Sequence, residues 1–223
     1  MTTWLLCIVG AYLVGSIPFG LLIGKTRGID IRAHGSKNIG ATNVRRVLGQ
    51  PFGMLCFVLD VLKGALPVIA AGIFGATISR DARDLGQMQM WLWLGVGAAA
   101  VLGHTLPLYL GFKGGKGVAT GFGAALGMWP LLTLPAIGAL VVWYATLRMT
   151  RYVSVASMTA AISLPFWFMV SARTLDQMAA KVTHGYPVLA VALLLAIVVV
   201  WRHRANIARL RRGEEPKTGL NKA

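Results

Sequence analysis

The sequence predicts an all-α integral membrane protein, a seven-transmembrane-helix bundle that forms a single domain over residues 1–223. The first observation behind this prediction is composition. Hydrophobic residues make up 56% of the chain and the mean hydropathy is +0.67, far above what is typical of soluble proteins. The second is that the apolar residues form seven runs, and the more polar segments outside them carry most of the positive charge.

The seven apolar runs lie at residues 4–23, 52–76, 88–106, 118–129, 131–147, 154–171 and 186–201. A helix needs about 20 residues to cross the hydrocarbon core, and six of the runs approach that length. The fourth run supplies only about 12 residues and is predicted to be a short span. Prolines within or near several run ends predict that some of these helices are bent.

The positions of Lys and Arg predict the orientation, because cations accumulate in short cytoplasmic loops. With seven spans, all but five of the 22 cations fall on one side of the membrane. The opposite side holds Arg80, Arg83, Arg173 and Lys181. The remaining cation, Lys63, lies within the second span. The N-terminus is therefore expected outside, and the C-terminus, with a basic tail at residues 202–223, in the cytoplasm. Without the fourth span this bias would be lost.

Composition also bears on the partners. No cation precedes the first run, so we expect it to be retained rather than removed as a signal peptide. The net charge of +15 lies beside the spans, which favours membrane lipids and an anionic substrate over nucleic acid. Cys7 and Cys56 lack the spacing of a disulfide or zinc site. No metal and no cofactor is predicted, and no obligatory protein partner is evident.

A first basic, glycine-rich segment, GSKNIGATNVRR, occupies residues 35–46. Glycines let the backbone approach a ligand closely, and a guanidinium holds phosphate through two donors. This combination makes Ser36, Asn38 and Arg46 candidate phosphate-site residues, with Thr42 and Asn43 as further candidates. The alternative is an ordinary cationic loop with turn-forming residues.

The second such segment, GHTLPLYLGFKGGKGVAT at residues 103–120, ends in Gly114, Gly115, Lys116 and Gly117 directly before an apolar run. A helix that begins there presents unpaired N–H groups and a favourable dipole to an anion, and Lys116 adds charge. The segment lacks the first glycine and the Ser or Thr of a nucleotide-binding P-loop, so ATP use is not implied.

A third region combines Ser154 and Ser157 with the tail residues His203 and Asn206. On the predicted topology these residues share the cytoplasmic face with the two glycine-rich segments. His203 and Asn206 are three residues apart, so a helical continuation places them on one face. The alternatives are a helix cap at Ser154 and a basic flank that only stops membrane transfer.

Several motifs in order resemble the bacterial acyl-phosphate:glycerol-3-phosphate acyltransferase family over nearly the whole chain. They are SIPFG at residues 16–20, the two glycine-rich segments, Asp60 with Lys63-Gly64, YVSVASM at 152–158 and HRANIARLRRGEE at 203–215. The resemblance implies a multi-pass enzyme of the bacterial cytoplasmic (inner) membrane with its active site facing the cytoplasm. It implies acyl transfer from acyl phosphate to the 1-hydroxyl of sn-glycerol 3-phosphate, which gives lysophosphatidic acid and inorganic phosphate, the first step of phospholipid synthesis.

The resemblance also implies roles for individual residues. The implied catalytic residues are Ser36, Arg46, Lys116, His203 and Asn206. The implied substrate-binding residues are Asn38, Thr42, Asn43, Gly114, Gly115, Gly117, Ser154 and Ser157. The implied partners are acyl phosphate, glycerol 3-phosphate and membrane lipids.

The sequence favours direct transfer without an acyl-enzyme. An acyl phosphate is already an activated anhydride, and the chain has no GxSxG elbow and no His with Asp four residues downstream. His203 is expected to orient glycerol phosphate, with the role of base as the alternative. Asp60 and Lys63, one helical turn apart within a span, are expected to pair with each other or with the site, and to serve folding rather than, as the alternative, direct catalysis. Rival functions are an organophosphate transporter and a noncatalytic anionic-lipid-binding protein.

Overall fold

In a computed structural model the described residues are 1–80, 84–171 and 183–219. Ten α-helices and one short 3-10 helix have both ends within these ranges. The helices are α1 Thr2–Gly15, α2 Phe19–Lys25, α3 Ala41–Leu48, α4 Gln50–Phe74, α5 Gln87–Thr105, α6 Val118–Gly127, α7 Thr133–Thr150, α8 Val153–Val170, α9 Tyr186–Arg202 and α10 Arg204–Arg211. Arg83, Arg173, Lys181 and tail residues 220–223, on which part of the charge prediction rests, lie outside the described residues.

The all-helical membrane class is confirmed. Four described segments are long and apolar enough to cross a membrane: Thr2–Lys25, Gln50–Phe74, Gln87–Leu110 and Val153–Val170. A fifth is present if α9 and α10, which are bent by 53° relative to each other, count as one span. Helix α6 is apolar but has only 10 residues, in agreement with the short fourth run. Length and composition thus support four or five crossings, and seven stays a prediction.

The first predicted span is broken into α1 and α2. Pro18 precedes α2; proline has no N–H and disfavours helical backbone at the residue before it. The carbonyl oxygen of Ile17, at the break, accepts a hydrogen bond of 2.8 Å from Lys63 Nζ on α4. The break is therefore held by a buried side chain of another helix.

The chain forms two compact units, and the first unit contains residues 1–79 and 88–128. Within it, α4 packs against α1, α3 and α6. Glycines set the closest approach: a methyl group on Gly64 would overlap the carbonyl oxygen of Thr120, and one on Gly123 would overlap that of Val61. Small residues at such positions let helix backbones approach closely. This contact fixes α6, the helix that follows the second glycine-rich segment, against α4.

The second unit contains residues 80–87 and 129–223, so far as they are described. Helix α8 packs against both α7 and α9, and the fully buried side chains include Phe168 of α8 and Val188 of α9. Gly138 of α7 lies directly against the ring of Trp167. His203 lies at the bend between α9 and α10.

Candidate active site

Asn43 organises the first glycine-rich segment. Its side chain is buried, with 1% exposed. Nδ2 donates to the carbonyl oxygens of Ile31 at 3.0 Å, His34 at 3.1 Å and Asn38 at 2.8 Å. Oδ1 accepts from the backbone N–H of Ser36 at 2.8 Å. Both ends of the amide are therefore occupied in folding the loop that precedes α3.

The other candidates of this segment lie around that loop. Asn38 Oδ1 accepts from the backbone N–H of Gly40 at 2.9 Å, which shapes the turn into α3. Ser36 and Arg46 are exposed and Thr42 is half-buried. Arg46 lies in the last turn of α3. The structure therefore links Ser36, Asn38 and Asn43 by hydrogen bonds and adds helix α3, which was not predicted within this segment.

The second glycine-rich segment packs tightly against the end of α5. Gly115 donates its backbone N–H to the carbonyl oxygen of His104 at 3.0 Å. A methyl group on Gly114 would overlap that same carbonyl, and one on Gly115 would overlap His104 Nε2. Gly117, with φ of +80°, forms the N-cap of α6 without a side-chain hydrogen bond. Left-handed backbone favours glycine there, and Lys116 beside it is half-buried.

A buried ionic cluster lies next to this segment. Lys63 Nζ lies 2.8 Å from Asp60 Oδ1, which confirms the predicted pair. His104 Nδ1 lies 3.6 Å from the same oxygen. The three residues are between 2% and 4% exposed. Because unpaired charge is costly in a membrane span, the two ions stabilise each other there.

In the second unit, the buried carboxylate of Glu215 accepts hydrogen bonds from three side chains. Ser154 and Asn206 are predicted site residues, and Arg209 lies near Asn206 in the sequence. Glu215 Oε1 accepts from Ser154 Oγ at 2.8 Å and from Asn206 Nδ2 at 2.6 Å. Glu215 Oε2 accepts from Arg209 Nε at 2.8 Å. Glu215 was not among the site residues predicted from the sequence. The available signal was an acidic pair within the otherwise basic HRANIARLRRGEE.

Glu215 remains ionised at neutral pH. Burial opposes its charged form, but the hydrogen bonds from Asn206, Ser154 and Arg209, together with the charge of Arg209, outweigh burial and lower the pKa of Glu215 below its ordinary value. An ionised carboxylate accepts hydrogen bonds only. The hydroxyl hydrogen of Ser154 therefore points to Glu215, and any further hydrogen bond at Ser154 Oγ is accepted.

His203 is buried at the bend and does not lie within a straight helical continuation. Its backbone has φ −95° and ψ 7°, and α10 begins one residue later. Nδ1 lies 2.7 Å from the carbonyl oxygen of Val199. Because a carbonyl only accepts, Nδ1 carries a hydrogen, and the neutral ring has its lone pair on Nε2. Asn206 lies in the first turn of α10.

Other contacts of the second unit are structural. Ser157 is buried and accepts from Trp143 Nε1 at 3.3 Å, which ties α8 to α7. The tail returns to the start of α8: Thr218 donates its backbone N–H to the carbonyl oxygen of Arg151 at 2.7 Å. Lys217 Nζ lies 5.7 Å from the ring centre of Tyr152. Among the residues described, no group of three or more His, Cys, Asp or Glu is placed to hold a metal ion.

The family model described as Glycerol-3-phosphate acyltransferase matches residues 5–213, a range that contains every predicted site residue. The chain belongs to the glycerol-3-phosphate acyltransferase family. The resemblance drawn from the motifs is thereby confirmed. A glycerol-3-phosphate acyltransferase of Geotalea daltonii is 42% identical over 215 residues, which cover 96% of this chain and 97% of that protein.

Solved structures agree with the family assignment. The crystal structure of PlsY (YgiH), an integral membrane glycerol 3-phosphate acyltransferase, in its glycerol 3-phosphate form has a TM-score of 0.80 and 38% identity. It covers 97% of this chain, and the match covers 96% of that chain. The lysophosphatidic acid form of the same protein gives a TM-score of 0.78 at 38% identity, with 97% and 95% coverage. This member of the acyltransferase family is accordingly an integral membrane protein.

Proposed function

We propose that this protein transfers an acyl group from acyl phosphate to the 1-hydroxyl of sn-glycerol 3-phosphate and releases lysophosphatidic acid and inorganic phosphate. This reaction is the first step of phospholipid synthesis. Solved forms of a relative with glycerol 3-phosphate and with lysophosphatidic acid support the acceptor and the product. The observation that carries the proposal is the glycine segment at the start of α6, whose backbone amides and Lys116 suit a phosphate group.

The first unit supplies phosphate recognition. The amides of Gly114 and Gly117 and the ammonium of Lys116 bind one phosphate group through opposite charge and hydrogen bonds. Gly115, whose N–H is donated to the His104 carbonyl oxygen, shapes the segment between them. Arg46 binds phosphate through two guanidinium donors.

Around the first segment, Ser36 and Asn38 orient the bound substrate, and Thr42 lies beside them. Asn43 acts through the loop, because its amide is occupied by four backbone partners. Asn43 is thus a positioning residue rather than a direct substrate contact.

The second unit supplies recognition of the acceptor. Glu215 fixes Ser154 and Asn206 by hydrogen bonds, and Ser154 Oγ is left to accept a hydrogen bond from a substrate hydroxyl. His203 orients glycerol 3-phosphate through the edge of the ring that carries Nε2. Ser157 supports this group from the next turn of α8.

The chemistry is a direct acyl transfer. The 1-hydroxyl oxygen bonds to the acyl carbonyl carbon, and the bond from that carbon to the phosphate oxygen breaks. The hydroxyl proton passes to a substrate phosphate, and the donor's phosphate departs as inorganic phosphate. The protein contributes chiefly by holding the two substrates together and by stabilising the negative charge with cations and amides. No metal, cofactor or acyl-enzyme takes part.

We propose seven crossings in the bacterial cytoplasmic (inner) membrane, with the N-terminus outside and the tail and active site in the cytoplasm. Helices α6 and α7 supply the fourth and fifth crossings. The test is single-cysteine labelling with a membrane-impermeant reagent in sealed inverted vesicles, after Cys7 and Cys56 are replaced by Ala. A cysteine at Arg211 should be labelled and one at Thr2 protected; the reverse pattern contradicts the orientation.

The activity test uses purified protein in detergent with acyl phosphate and glycerol 3-phosphate, without added metal. We expect equal amounts of inorganic phosphate and lysophosphatidic acid, strong loss in Lys116→Ala, and no loss in the control Lys25→Ala. Turnover with acyl-CoA alone would show that the donor is wrong. A folded preparation that is inactive with both donors would favour a transporter or an anionic-lipid-binding protein.

His203→Gln separates the two roles of His203. Orientation predicts that turnover is largely retained while the KM for glycerol 3-phosphate rises, because the amide oxygen of Gln can accept near the position of Nε2 but does not reproduce the ring. Near-total loss of turnover with intact glycerol 3-phosphate binding would instead show that His203 is the base.

A further inference from the structure

We propose that His104 is a positioning residue for phosphate binding: anchored by Asp60, its imidazole supports the backbone of residues 114–117. This inference rests on the proposed function, in which that glycine segment binds a substrate phosphate. His104 is the last residue but one of α5, and its side chain is 4% exposed. It touches the segment on one side and the ionic cluster of α4 on the other.

The contact with the segment is direct. Gly115 packs so closely on the imidazole that an added methyl group would overlap Nε2 and approach two ring carbons at 2.9 and 3.0 Å. The same glycine donates its N–H to the His104 carbonyl oxygen at 3.0 Å. Ring and main chain of His104 therefore hold one residue of the segment from two directions. A shift of the ring displaces Gly115 and, with it, the neighbouring Lys116.

The opposite edge of the ring faces a carboxylate. His104 Nδ1 lies 3.6 Å from Asp60 Oδ1, longer than a hydrogen bond, so the attraction is electrostatic. It is favourable only with hydrogen on Nδ1, because a carboxylate oxygen accepts. Lys63 holds the carboxylate at 2.8 Å and also donates to the Ile17 carbonyl. The Asp60 carboxylate is thereby held in place. Because the site is buried, its electrostatic attraction to the His104 imidazole is only weakly screened.

Helix α4 fixes the other end of the segment as well. Gly64, next to Lys63, lies against the carbonyl oxygen of Thr120 in the first turn of α6. Helix α4 therefore fixes the position of the His104 imidazole, which packs against the segment. It also fixes the start of α6, whose backbone amides face the phosphate. This arrangement gives the membrane-buried charges a purpose beyond folding: they fix the geometry of the phosphate-binding backbone.

The test combines His104→Asn, Gly115→Ala and the double variant. The Asn amide nitrogen keeps a donor near the position of Nδ1 and removes the ring edge that touches Gly115. We expect His104→Asn to raise the KM for one phosphate substrate about tenfold, equivalent to about 1.4 kcal/mol, while kcat and Tm change little. Gly115→Ala should raise the same KM, because its methyl group displaces the segment.

The double variant decides the matter. Because His104→Asn removes the ring edge, the methyl group of Gly115→Ala no longer overlaps the imidazole. The KM of the double variant should therefore match that of His104→Asn alone. A KM equal to the product of the two single effects, about a hundredfold, would overturn the proposal. So would an unchanged KM for both substrates in His104→Asn. Separate titrations of glycerol 3-phosphate and acyl phosphate show which phosphate the segment binds.

Two controls keep the test decisive. Gly10→Ala of α1 adds a methyl where no atom lies within 4 Å; it should leave KM unchanged and should not lower Tm, because Ala favours a helix interior over Gly. Should His104→Asn fail to fold, His104→Gln in the same cycle with Gly115→Ala supplies the coupling. If the proposed function is wrong, the folded wild-type protein will show no turnover from acyl phosphate, which is a separate result from the coupling between His104 and Gly115. Calorimetric binding of glycerol 3-phosphate then tests the coupling without catalysis, and additivity there overturns the proposal.

Discussion

Asn206 donates from Nδ2 to Oε1 of Glu215 over 2.6 Å, and both side chains are buried. The same oxygen receives the hydroxyl of Ser154. One acidic side chain therefore holds two residues from different helices of the second unit in fixed orientations. Its neighbour Glu214 is exposed and pairs with Arg212 at the surface, which provides a matched comparison at the adjacent position.

Glu215→Gln should destabilise the protein by about 1.5–3 kcal/mol, the worth of one hydrogen bond to a charged group. The amide oxygen of Gln can still accept from Ser154 and Asn206, but its NH2 group replaces the oxygen that accepts from Arg209. A Tm lower by roughly 5–10 °C and a higher KM for glycerol 3-phosphate are expected. Glu214→Gln should change neither by more than a small amount, because exposed ion pairs contribute about 0–1 kcal/mol. Equal effects of the two substitutions would contradict a specific role for Glu215.

The stabilisation by Glu215 should depend on pH in one direction. The pKa of its carboxyl in the folded protein is lowered from 4.5, so its contribution is complete above about pH 4.5 and is lost as pH falls through the folded value. The Tm difference between wild type and Glu215→Gln should stay constant from about pH 7 to 5 and shrink below that range. Thermal unfolding at successive pH values measures it. A difference that grows on acidification would have the wrong sign.

Removing one partner of the buried pair should cost more than removing both. Lys63→Met leaves the Asp60 carboxylate without its cation in a buried site, which typically costs about 3–5 kcal/mol. Asp60→Asn combined with Lys63→Met removes both charges and should be clearly milder. Thermal unfolding in detergent gives the comparison, with the exposed Lys25→Met as control. If the double variant is the least stable, the pair does not stabilise the fold in this way.

Asn43→Asp should collapse the first glycine-rich loop. The substitution replaces a donor that faces three carbonyl oxygens by a charged acceptor, so attraction becomes repulsion. We expect activity to fall by at least about tenfold, equivalent to about 1.4 kcal/mol, with faster proteolysis within residues 31–40. Gln50→Glu, which adds the same charge at an exposed helix start, should be nearly neutral. Full activity in Asn43→Asp would show that the loop does not depend on this amide.

Gly64→Ala should separate α4 from α6, because the methyl group would overlap the carbonyl oxygen of Thr120. Backbone atoms yield little, so a loss of about 2–3 kcal/mol is expected, within the range for overpacked cores. Gly10→Ala is the matched control in α1, since its methyl group meets open space. Unfolding temperatures of the two variants check the prediction, and similar values would mean that this helix contact is not close in solution.

Most helix positions were predictable because long apolar runs define membrane helices directly. The predicted run 52–76 corresponds to α4 Gln50–Phe74, and 154–171 to α8 Val153–Val170. The prolines near the run ends predicted bends of the kind seen at Pro18. The hydrogen bond from Lys63 to the Ile17 carbonyl at this break was not predicted, because the two residues are 46 positions apart and no local sequence pattern indicates such a contact.

Site residues were predictable where composition and spacing carry the signal. The glycine segment before α6 was located by its own residue types, and the structure places it at that helix start. Glu215 was missed because its role depends on Ser154, which is 61 positions away in the sequence. Helix α3 was missed because glycine and asparagine in its vicinity favour turns, while the helix is held by packing against α4.

The bond between Ser154 and Glu215 also has a consequence for the time course of synthesis. A ribosome adds about 5–20 residues per second, so Glu215 follows Ser154 by roughly 3–12 s. During that interval α8 is made while the partner of its first-turn serine does not yet exist. A chain that stops before Glu215 would therefore contain the helices made earlier and still lack the carboxylate that orients Ser154 and Asn206. The hydrogen-bonded group of Ser154, Asn206 and Glu215 is thus completed only after α8, α9 and α10 have been made.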